Sequence, residues 1–361
     1  MQEPPAAPPA APPAAPRDEF GAESPVDPKA ADRLGPAEVA AAARCIQDRV
    51  RYTPALRCRA LEAAVGAELW LKLESLQRIG AFKARGAMLA VSRLAAPARQ
   101  RGIVTYSSGN HGQAVALAAR EFGVQATVFM PEDAPGIKVD GVRAVGGEVK
   151  LAGTTSTHRR AAALEHCAAS GGAMVSPFDH ADIIVGQGTA TQEFLAQVEK
   201  SGGPLDVLIV PVGGGGVIAG ACLASANHPV RICSAEPATC DAMAASLEAG
   251  RRVRVAPGET LADGLKPLQV GVLNFEIARR RVQAAFRVDE SEIGLALVTL
   301  AIRGKLVVEP SAAVGLAVAL RGAAALAHRG IEPRRIGVMI TGGNIEPALL
   351  SRLIRDYGDH V

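Results

Sequence analysis

Short apolar segments alternate along this chain with longer segments rich in alanine and leucine, and this alternation constrains the fold more than any other feature. Apolar runs of four to seven residues predict buried strands, and the alanine- and leucine-rich stretches between them predict helices. Such an order is typical of an α/β fold with a mostly parallel sheet. The predicted strands are 68–73, 102–106, 127–130, 148–151, 174–175, 206–212, 230–236 and 335–341. The predicted helices are 36–50, 110–122, 137–145, 157–170, 217–227, 290–303 and 312–328.

The charge and composition of the chain exclude several classes of protein. It has 361 residues, with 39 Lys and Arg against 36 Asp and Glu, so the net charge is only +3. Nucleic-acid binding needs a concentrated basic patch, and the densest basic runs, at 251–252 and 279–281, indicate solvated faces instead. No apolar stretch is long enough to predict a membrane span. The six cysteines have neither disulfide-framework nor zinc spacing, which favours buried thiols of a cytoplasmic protein.

The N-terminal region is predicted to lie outside the folded part. Residues 4–16 are all Ala or Pro. Because proline removes amide donors and fixes φ, this stretch predicts an extended tail rather than a helix or strand. Residues 17–33 contain few large apolar side chains. We therefore expect a disordered tail over 1–33 and a folded region that begins near Leu34.

Four consecutive glycines, Gly213, Gly214, Gly215 and Gly216, lie between a predicted strand and a predicted helix. Without Cβ atoms, a chain can turn its N–H groups inward, and the following helix adds its positive N-terminus, so the loop suits a phosphate group. The spacing matches neither the dinucleotide fingerprint nor a P-loop. A tight turn with no ligand is the alternative at this point.

Two more loops of small residues follow predicted strands. One carries Ser107, Ser108, Gly109, Asn110 and His111, and the other is Thr-Gly-Gly-Asn at 341–344. Ser and Asn also suit an ordinary helix N-cap. Ligands of open α/β sheets bind at the carboxyl ends of strands, so the three loops together predict a site for a phosphate-bearing ligand.

The segment Gly-Ala-Phe-Lys-Ala-Arg-Gly-Ala at 80–87, with Glu74 upstream, resembles the lysine signature of the serine/threonine dehydratases. The glycine loop, the Ser-Ser-Gly-Asn-His-Gly loop, Glu309-Pro310 and Thr-Gly-Gly-Asn occur in the order of that family. The resemblance runs from about Leu34 to the C-terminus. It implies a pyridoxal-phosphate (PLP) enzyme of the tryptophan synthase β-like fold (fold type II), with two open parallel α/β domains and the cofactor between them. The large domain would comprise 34–101 and 180–361, and the small domain 102–179.

The resemblance also implies a role for each matching residue. Lys83 would form the Schiff base with PLP, with Phe82 against the ring, Asn110 at the ring hydroxyl and Thr341 at the pyridine nitrogen. Gly213, Gly214, Gly215 and Gly216 would hold the phosphate. The substrate carboxylate would meet Ser107, Gly109, Asn110 and His111, although a structural role for His111 is equally open. A lysine that is partly desolvated or near cations has a lowered pKa, which suits both nucleophile and base.

The implied reaction is the deamination of a β-hydroxy amino acid. Lys83 would remove the Cα proton, the β-hydroxyl would leave, and a 2-oxo acid and ammonia would be released. L-Threonine and L-serine are the leading substrates. Ser108 is a candidate second acid/base, which keeps serine racemase open, although a simple hydrogen bond to its own loop is equally open. Arg159 would pair with a second carboxylate, which keeps 3-hydroxyaspartate open. Arg159 on a solvated helix face is the alternative.

Three further expectations concern metal binding, assembly and competing functions. Metal-activated relatives use a Glu, a carbonyl four residues on and an Asp six residues on; here Glu236 is followed by Cys240 and Ala242, so we expect no metal. The family resemblance implies a homodimer or homotetramer. A catalytically silent ligand-binding module on the same fold and a dinucleotide-dependent oxidoreductase are the competing functions from other classes.

Overall fold

The computed structural model describes residues 26–107, 109–134 and 136–361. The helices of these ranges are α1 (Pro36–Ile46), α2 (Arg59–Val65), α3 (Lys83–Arg93), α4 (Ala96–Gln100), α5 (Asn110–Glu121), α6 (Gly136–Ala144), α7 (Ser156–Ser170), α8 (Ala181–Lys200), α9 (Gly216–Ala224), α10 (Ala242–Ala249), α11 (Val272–Ala278), α12 (Glu290–Ile302), α13 (Pro310–Leu320), α14 (Ala323–Ala327) and α15 (Pro347–Tyr357). The strands are β1 (Ala55–Arg57), β2 (Glu68–Leu73), β3 (Ile103–Tyr106), β4 (Ala126–Met130), β5 (Glu148–Leu151), β6 (Ala173–Met174), β7 (Val207–Pro211), β8 (Arg231–Pro237), β9 (Val282–Val288) and β10 (Arg335–Ile340).

The strands form two sheets. A six-stranded sheet has the order β1-β2-β10-β7-β8-β9, and a four-stranded sheet has the order β5-β4-β3-β6. All neighbours are parallel except β1, which runs antiparallel to β2. Central strands such as β7 are apolar along their whole length because helices cover both faces of a parallel sheet. The predicted α/β class with two open, largely parallel sheets is confirmed.

The two sheets use separate parts of the chain. The four-stranded sheet lies within residues 103–174, and the six-stranded sheet uses residues 55–73 and 207–340. Helix α3 connects them by packing on both α5 and α8. The predicted domain boundaries at 101/102 and 179/180 fall between elements of the two sheets, and they stay predictions.

The folded part begins earlier than the predicted Leu34. Residues Pro28–Arg33 form a 3-10 helix, in which Ala31 is buried and Asp32 pairs with Arg280 at 2.7 Å. The predicted tail is therefore too long by residues 26–33, because one small apolar side chain and one ion pair suffice to dock this segment. Residues 1–25 of that prediction lie outside the described residues.

Two predicted helices differ most in length from those of the structure. The first helix ends at Ile46 rather than at residue 50. After it the chain turns, and the N–H groups of Arg49 and Val50 both donate to the Ile46 carbonyl. The stretch predicted as one helix over 312–328 is divided into α13 and α14, because Gly322 adopts a positive φ of 85°. In the described ranges, no helix combines the length and the apolar character that crossing a lipid bilayer requires.

Candidate active site

Lys83 is the first residue of α3 and lies where the predicted loops converge. Its Nζ donates to the Pro177 carbonyl at 2.8 Å, and the N–H of Phe82 donates to the Thr341 carbonyl at 3.0 Å. Burial lowers the pKa of Lys83 to about 8, although the Glu309 carboxyl opposes that change. A neutral amine is therefore accessible near physiological pH, which is what Schiff-base chemistry requires.

The glycine loop forms a cradle that has no space for side chains. A Cβ on Gly214 would lie 2.3 Å from the Phe178 ring, and one on Gly215 would lie 2.9 Å from the Asn274 Cβ. Gly215 also has a positive φ of 95°, which strains any residue with a side chain. Because α9 begins at Gly216, its N-terminal amides lie at the same loop and favour an anion there.

Asn274 fixes this loop, and it is not among the residues predicted from the sequence. Its Nδ2 donates to the Gly214 carbonyl at 2.7 Å and to the Phe178 carbonyl at 3.3 Å. Asn274 lies on α11, whose first amides, at Val272 and Leu273, donate to Asp179 at 2.7 and 3.0 Å. No motif marks Asn274, because sixty residues separate it from the loop that it holds.

Thr341 follows β10, and its environment fits the ring of PLP. The residue is 3% exposed, yet its Oγ1 has no hydrogen-bond partner among the described residues. Buried hydroxyls are normally paired, so this one indicates an absent ligand atom. A pyridine nitrogen is an acceptor that the Thr341 hydroxyl can meet. The lysine, the glycine cradle and this hydroxyl together fit the amine, phosphate and ring contacts that PLP needs.

Asn110 links the two sheets at the site. Its Nδ2 donates to the two Glu309 carboxyl oxygens at 3.1 and 3.0 Å, and its Oδ1 accepts a hydrogen bond from Asn344 at 2.8 Å. Burial raises the pKa of Glu309 to about 7, while the Asn110 amide and the Lys83 and Lys138 cations oppose the rise. The predicted contact of Asn110 with the ring hydroxyl therefore involves an amide that already has a buried carboxyl partner.

The loop before α5 offers backbone donors more than side-chain donors. The Ser107 Oγ accepts the Gly109 N–H at 3.1 Å, and α5 begins at Asn110. First-turn amides of a helix have no intrahelical partners, so those of Asn110 and His111 suit a substrate carboxylate. Ser108, the predicted second acid/base, lies outside the described residues.

The side chain of His111 fits the structural alternative that the sequence left open. Its Nε2 lies 3.2 Å from the Val175 carbonyl, and burial together with the Lys83 cation lowers its pKa to about 3. The ring is therefore neutral, with the proton on Nε2, because a carbonyl only accepts. Nδ1 has no partner among the described residues and has no N–H to offer. Only the backbone N–H of His111 can therefore donate a hydrogen bond to a substrate carboxylate.

Arg159 lies on α7 and makes local contacts. It is 8% exposed, and its Nη1 donates to the Thr154 carbonyl at 3.1 Å. Its Nε is buried without a partner in the described ranges, and burial lowers the pKa of the guanidinium. The alternative of a solvated helix face is therefore wrong, and the binding of a second carboxylate by Arg159 stays a prediction. A buried guanidinium with an unused donor indicates a missing acceptor.

The fold and the site define a class of protein. It is the class of PLP enzymes of fold type II. Its features here are the two largely parallel sheets, the buried lysine with a lowered pKa, the glycine cradle at a helix N-terminus and the threonine hydroxyl without a partner among the described residues. The family model described as "Pyridoxal-phosphate dependent enzyme" matches residues 46–342. The chain belongs to this family, and its cofactor is PLP.

Known relatives narrow the class to ammonia-lyases and racemases. The L-threo-3-hydroxyaspartate ammonia-lyase of Saccharomyces cerevisiae is 37% identical over 324 residues, which cover 89% of this chain and 97% of the yeast protein. The L-threonine ammonia-lyase of Thermotoga maritima is 36% identical over 319 residues, or 88% of this chain and 77% of that protein. The structure of maize serine racemase matches with a TM-score of 0.84 and 34% identity, over 91% of this chain and 98% of that chain.

Proposed function

We propose that the protein is an ammonia-lyase that converts L-threonine to 2-oxobutanoate and L-serine to pyruvate, each with ammonia. The observation that carries the proposal is the Lys83 amine, whose pKa is lowered to about 8 and which lies between the glycine cradle and Thr341. Bound PLP supplies an electron sink for the charge that develops at Cα. Family membership argues against the dinucleotide-dependent oxidoreductase, and the intact Lys83 argues against a catalytically silent module.

The residues of the chain take separate roles in this reaction. Lys83 binds the cofactor and then accepts the Cα proton of the substrate. The first amides of α5 hold the substrate carboxylate, which orients the Cα–H bond toward Lys83. Thr341 presents a neutral hydroxyl rather than a carboxylate, so it does not hold a proton on the ring nitrogen. A weaker electron sink favours loss of the β-hydroxyl over transamination.

A substrate panel tests the proposal. Purified holoenzyme is given L-threonine, L-serine and L-threo-3-hydroxyaspartate, and the 2-oxo acid and the D-amino acid are measured together. We expect 2-oxo acid from threonine and serine, and no turnover by Lys83→Ala, which keeps PLP non-covalently. Turnover in Lys83→Ala would refute the role of Lys83. D-Serine as the main product would favour serine racemase, with Ser108 as the proposed second acid/base.

3-Hydroxyaspartate is a second candidate substrate because of Arg159. A buried guanidinium with an unused Nε suits the second carboxylate of this substrate, and neither threonine nor serine has one. If Arg159 binds that carboxylate, Arg159→Met lowers kcat/KM for 3-hydroxyaspartate about 10- to 100-fold. The same change leaves kcat/KM for threonine nearly unchanged.

The matched control is Arg143→Met, since Arg143 is an exposed arginine on α6. It should change neither substrate's kcat/KM. Equal losses for 3-hydroxyaspartate and threonine in Arg159→Met would assign Arg159 a structural role and leave threonine and serine as the substrates.

We also propose a homodimer or homotetramer in the cytoplasm. Family resemblance supports the assembly, and six free thiols, four of them buried, suit a reducing compartment. Sedimentation equilibrium of the holoenzyme tests the assembly, and a monomer at working concentration would refute it.

A further inference from the structure

A group of charged residues lies behind the glycine loop, outside the site described above. Glu236 on β8 lies opposite Arg287 on the neighbouring strand β9. Asp241 directly precedes α10, and Glu248 lies in the last turn of that helix. We call Glu236, Asp241, Glu248 and Arg287 the Arg287 cluster. It contains three carboxylates and one guanidinium.

Arg287 holds both ends of α10 on β9. Its Nε donates to the Asp241 Oδ2 at 2.7 Å, just before the helix. Its Nη1 and Nη2 donate to the two Glu248 carboxyl oxygens at 2.6 and 2.9 Å, in the last turn. A planar guanidinium can make these contacts at once, whereas a single ammonium point cannot reproduce the fork.

Glu236 fixes the start of the same helix from below. It is fully buried, and its two carboxyl oxygens accept the N–H groups of Met243 and Ala244, each at 2.8 Å. Burial raises the pKa of Glu236 to about 8, and these amides and the Arg287 cation oppose the rise. The two amides and the guanidinium therefore offset only part of the cost of burying this carboxyl.

The residues do not fit a divalent cation. Asp241 already has an Arg287 partner, and Ala242 stands where metal-activated relatives have a carboxylate. In the part of the chain that the structure describes, no three His, Cys, Asp or Glu side chains are grouped to hold a metal. A hard cation needs several oxygen ligands, and only Glu236 remains.

Helix α10 contacts the phosphate cradle directly. The Met243 Cε lies 3.3 Å from the position that a Cβ on Gly215 would occupy. Gly215 has the positive φ that turns the cradle. A shift of α10 therefore changes the packing behind the glycine that shapes the phosphate site.

We propose that Arg287 is a built-in cation that takes the place of the divalent metal, so that α10 is held against the glycine loop and PLP is retained without metal. Arg287 is thus a positioning residue for the cofactor. The inference concerns cofactor retention and holds whichever amino acid is the substrate.

The test measures PLP dissociation from the holoenzyme, together with Tm, after EDTA treatment and after addition of Mg²⁺, Ca²⁺ or Mn²⁺. We expect the wild-type PLP Kd and Tm to be the same in all four conditions. Arg287→Gln should raise the PLP Kd about fivefold, since two partly exposed ion pairs are lost. Arg287→Lys should raise the PLP Kd less than Arg287→Gln does, because it keeps a cation beside the carboxylates but loses the fork.

The matched control is Arg57→Gln. Arg57 forms a similar fork with Glu62 and an ion pair with Glu68 at the far edge of the sheet, with similar exposure. It should lower Tm to a similar extent without changing the PLP Kd. A wild-type Kd or Tm improved by a divalent cation would overturn the proposal, and so would an unchanged PLP Kd in Arg287→Gln. If Arg287→Gln fails to fold, a wild-type PLP Kd or Tm that responds to divalent cations still overturns the proposal.

Discussion

At the residue scale, the chemistry of the site depends on how much the surroundings of Lys83 favour its neutral form. Burial lowers the pKa of the amine, and the nearby Glu309 carboxyl raises it, with a net value of about 8. Burial also raises the pKa of Glu309 to about 7, so this carboxyl is partly protonated at neutral pH. The two groups therefore titrate close to each other, near neutral pH.

This coupling predicts the pH dependence of cofactor attachment. Only the neutral amine attacks the PLP aldehyde, so attachment to the apoenzyme should rise with pH and level off above a midpoint near 8 rather than near 10.5. Glu309→Gln removes the carboxyl that raises the Lys83 pKa, so the midpoint should move lower. The growth of the visible PLP band at each pH measures it.

Exposed Glu332→Gln serves as the control and should leave the midpoint unchanged. A midpoint that stays put in Glu309→Gln would show that this carboxyl does not act on Lys83. A wild-type midpoint near 10.5 would contradict the lowered pKa itself.

At the element scale, a buried ion network fixes α3 and therefore its first residue, Lys83. Arg85 donates to Glu74 at 2.7 and 2.8 Å and to Glu193 on α8, and Lys72 on β2 also pairs with Glu193 at 2.7 Å. Arg85, Glu74 and Lys72 are fully buried. The presence of both Glu74 and Arg85 in the lysine signature thus has a structural reason.

Breaking this network should be costly. Glu74→Gln or Arg85→Met leaves an uncompensated buried charge and should lower the free energy of unfolding by about 3–5 kcal/mol. Burial alone would raise the pKa of Glu74, but Arg85 and Lys72 hold it below the usual value. The stabilisation is therefore present at neutral pH and is lost as the pH falls through the lowered pKa of Glu74.

Urea unfolding at several pH values measures this effect. The control is Arg93→Met, which breaks the more exposed pair of Arg93 with Asp182 and should cost less than about 1 kcal/mol. If Arg85→Met also lowered the free energy of unfolding by less than about 1 kcal/mol, the buried network would contribute little to stability.

The sequence predicts the strands that are continuous apolar runs, but it predicts neither the long helix α8 nor the partly exposed strand β9. Strands β2, β7 and β10 are continuous apolar runs and were predicted within a residue or two. The three-residue edge strand β1 has no such run and exists because it pairs with β2.

The same distinction holds for the site. Glycine and lysine motifs mark Lys83 and the cradle, since the chemistry needs those residue types. Asn274 and the contact of Asn110 with Glu309 have no local signal, because each joins segments far apart in the chain. For the same reason, only the structure shows that Arg159 is buried.

At the scale of the whole molecule, the site is built where the two sheets meet. Lys83 reaches the Pro177 carbonyl, Asn110 reaches Glu309, and Lys138 on α6 pairs with Asp263 beside the glycine loop. Each contact joins residues 102–179 to the rest of the chain. The geometry of the cofactor site therefore depends on how these two parts of the chain are held together.

The N-terminal 3-10 helix supports the site indirectly, through α11, and this support can be tested. Pro28–Arg33 packs on α11, and α11 holds the cradle through Asn274 and through the Gly271 N–H, which donates to the Gly214 carbonyl at 3.1 Å. Ala31→Glu would place a charge in this contact and should lower the free energy of unfolding by about 2–4 kcal/mol. Because α11 would lose its support, the PLP Kd measured by dialysis should also rise. Lys29→Glu, at an exposed position of the same helix, should change neither quantity. An Ala31→Glu protein that unfolds more easily but retains PLP as tightly as the wild type would show that α11 holds the cradle without the N-terminal segment.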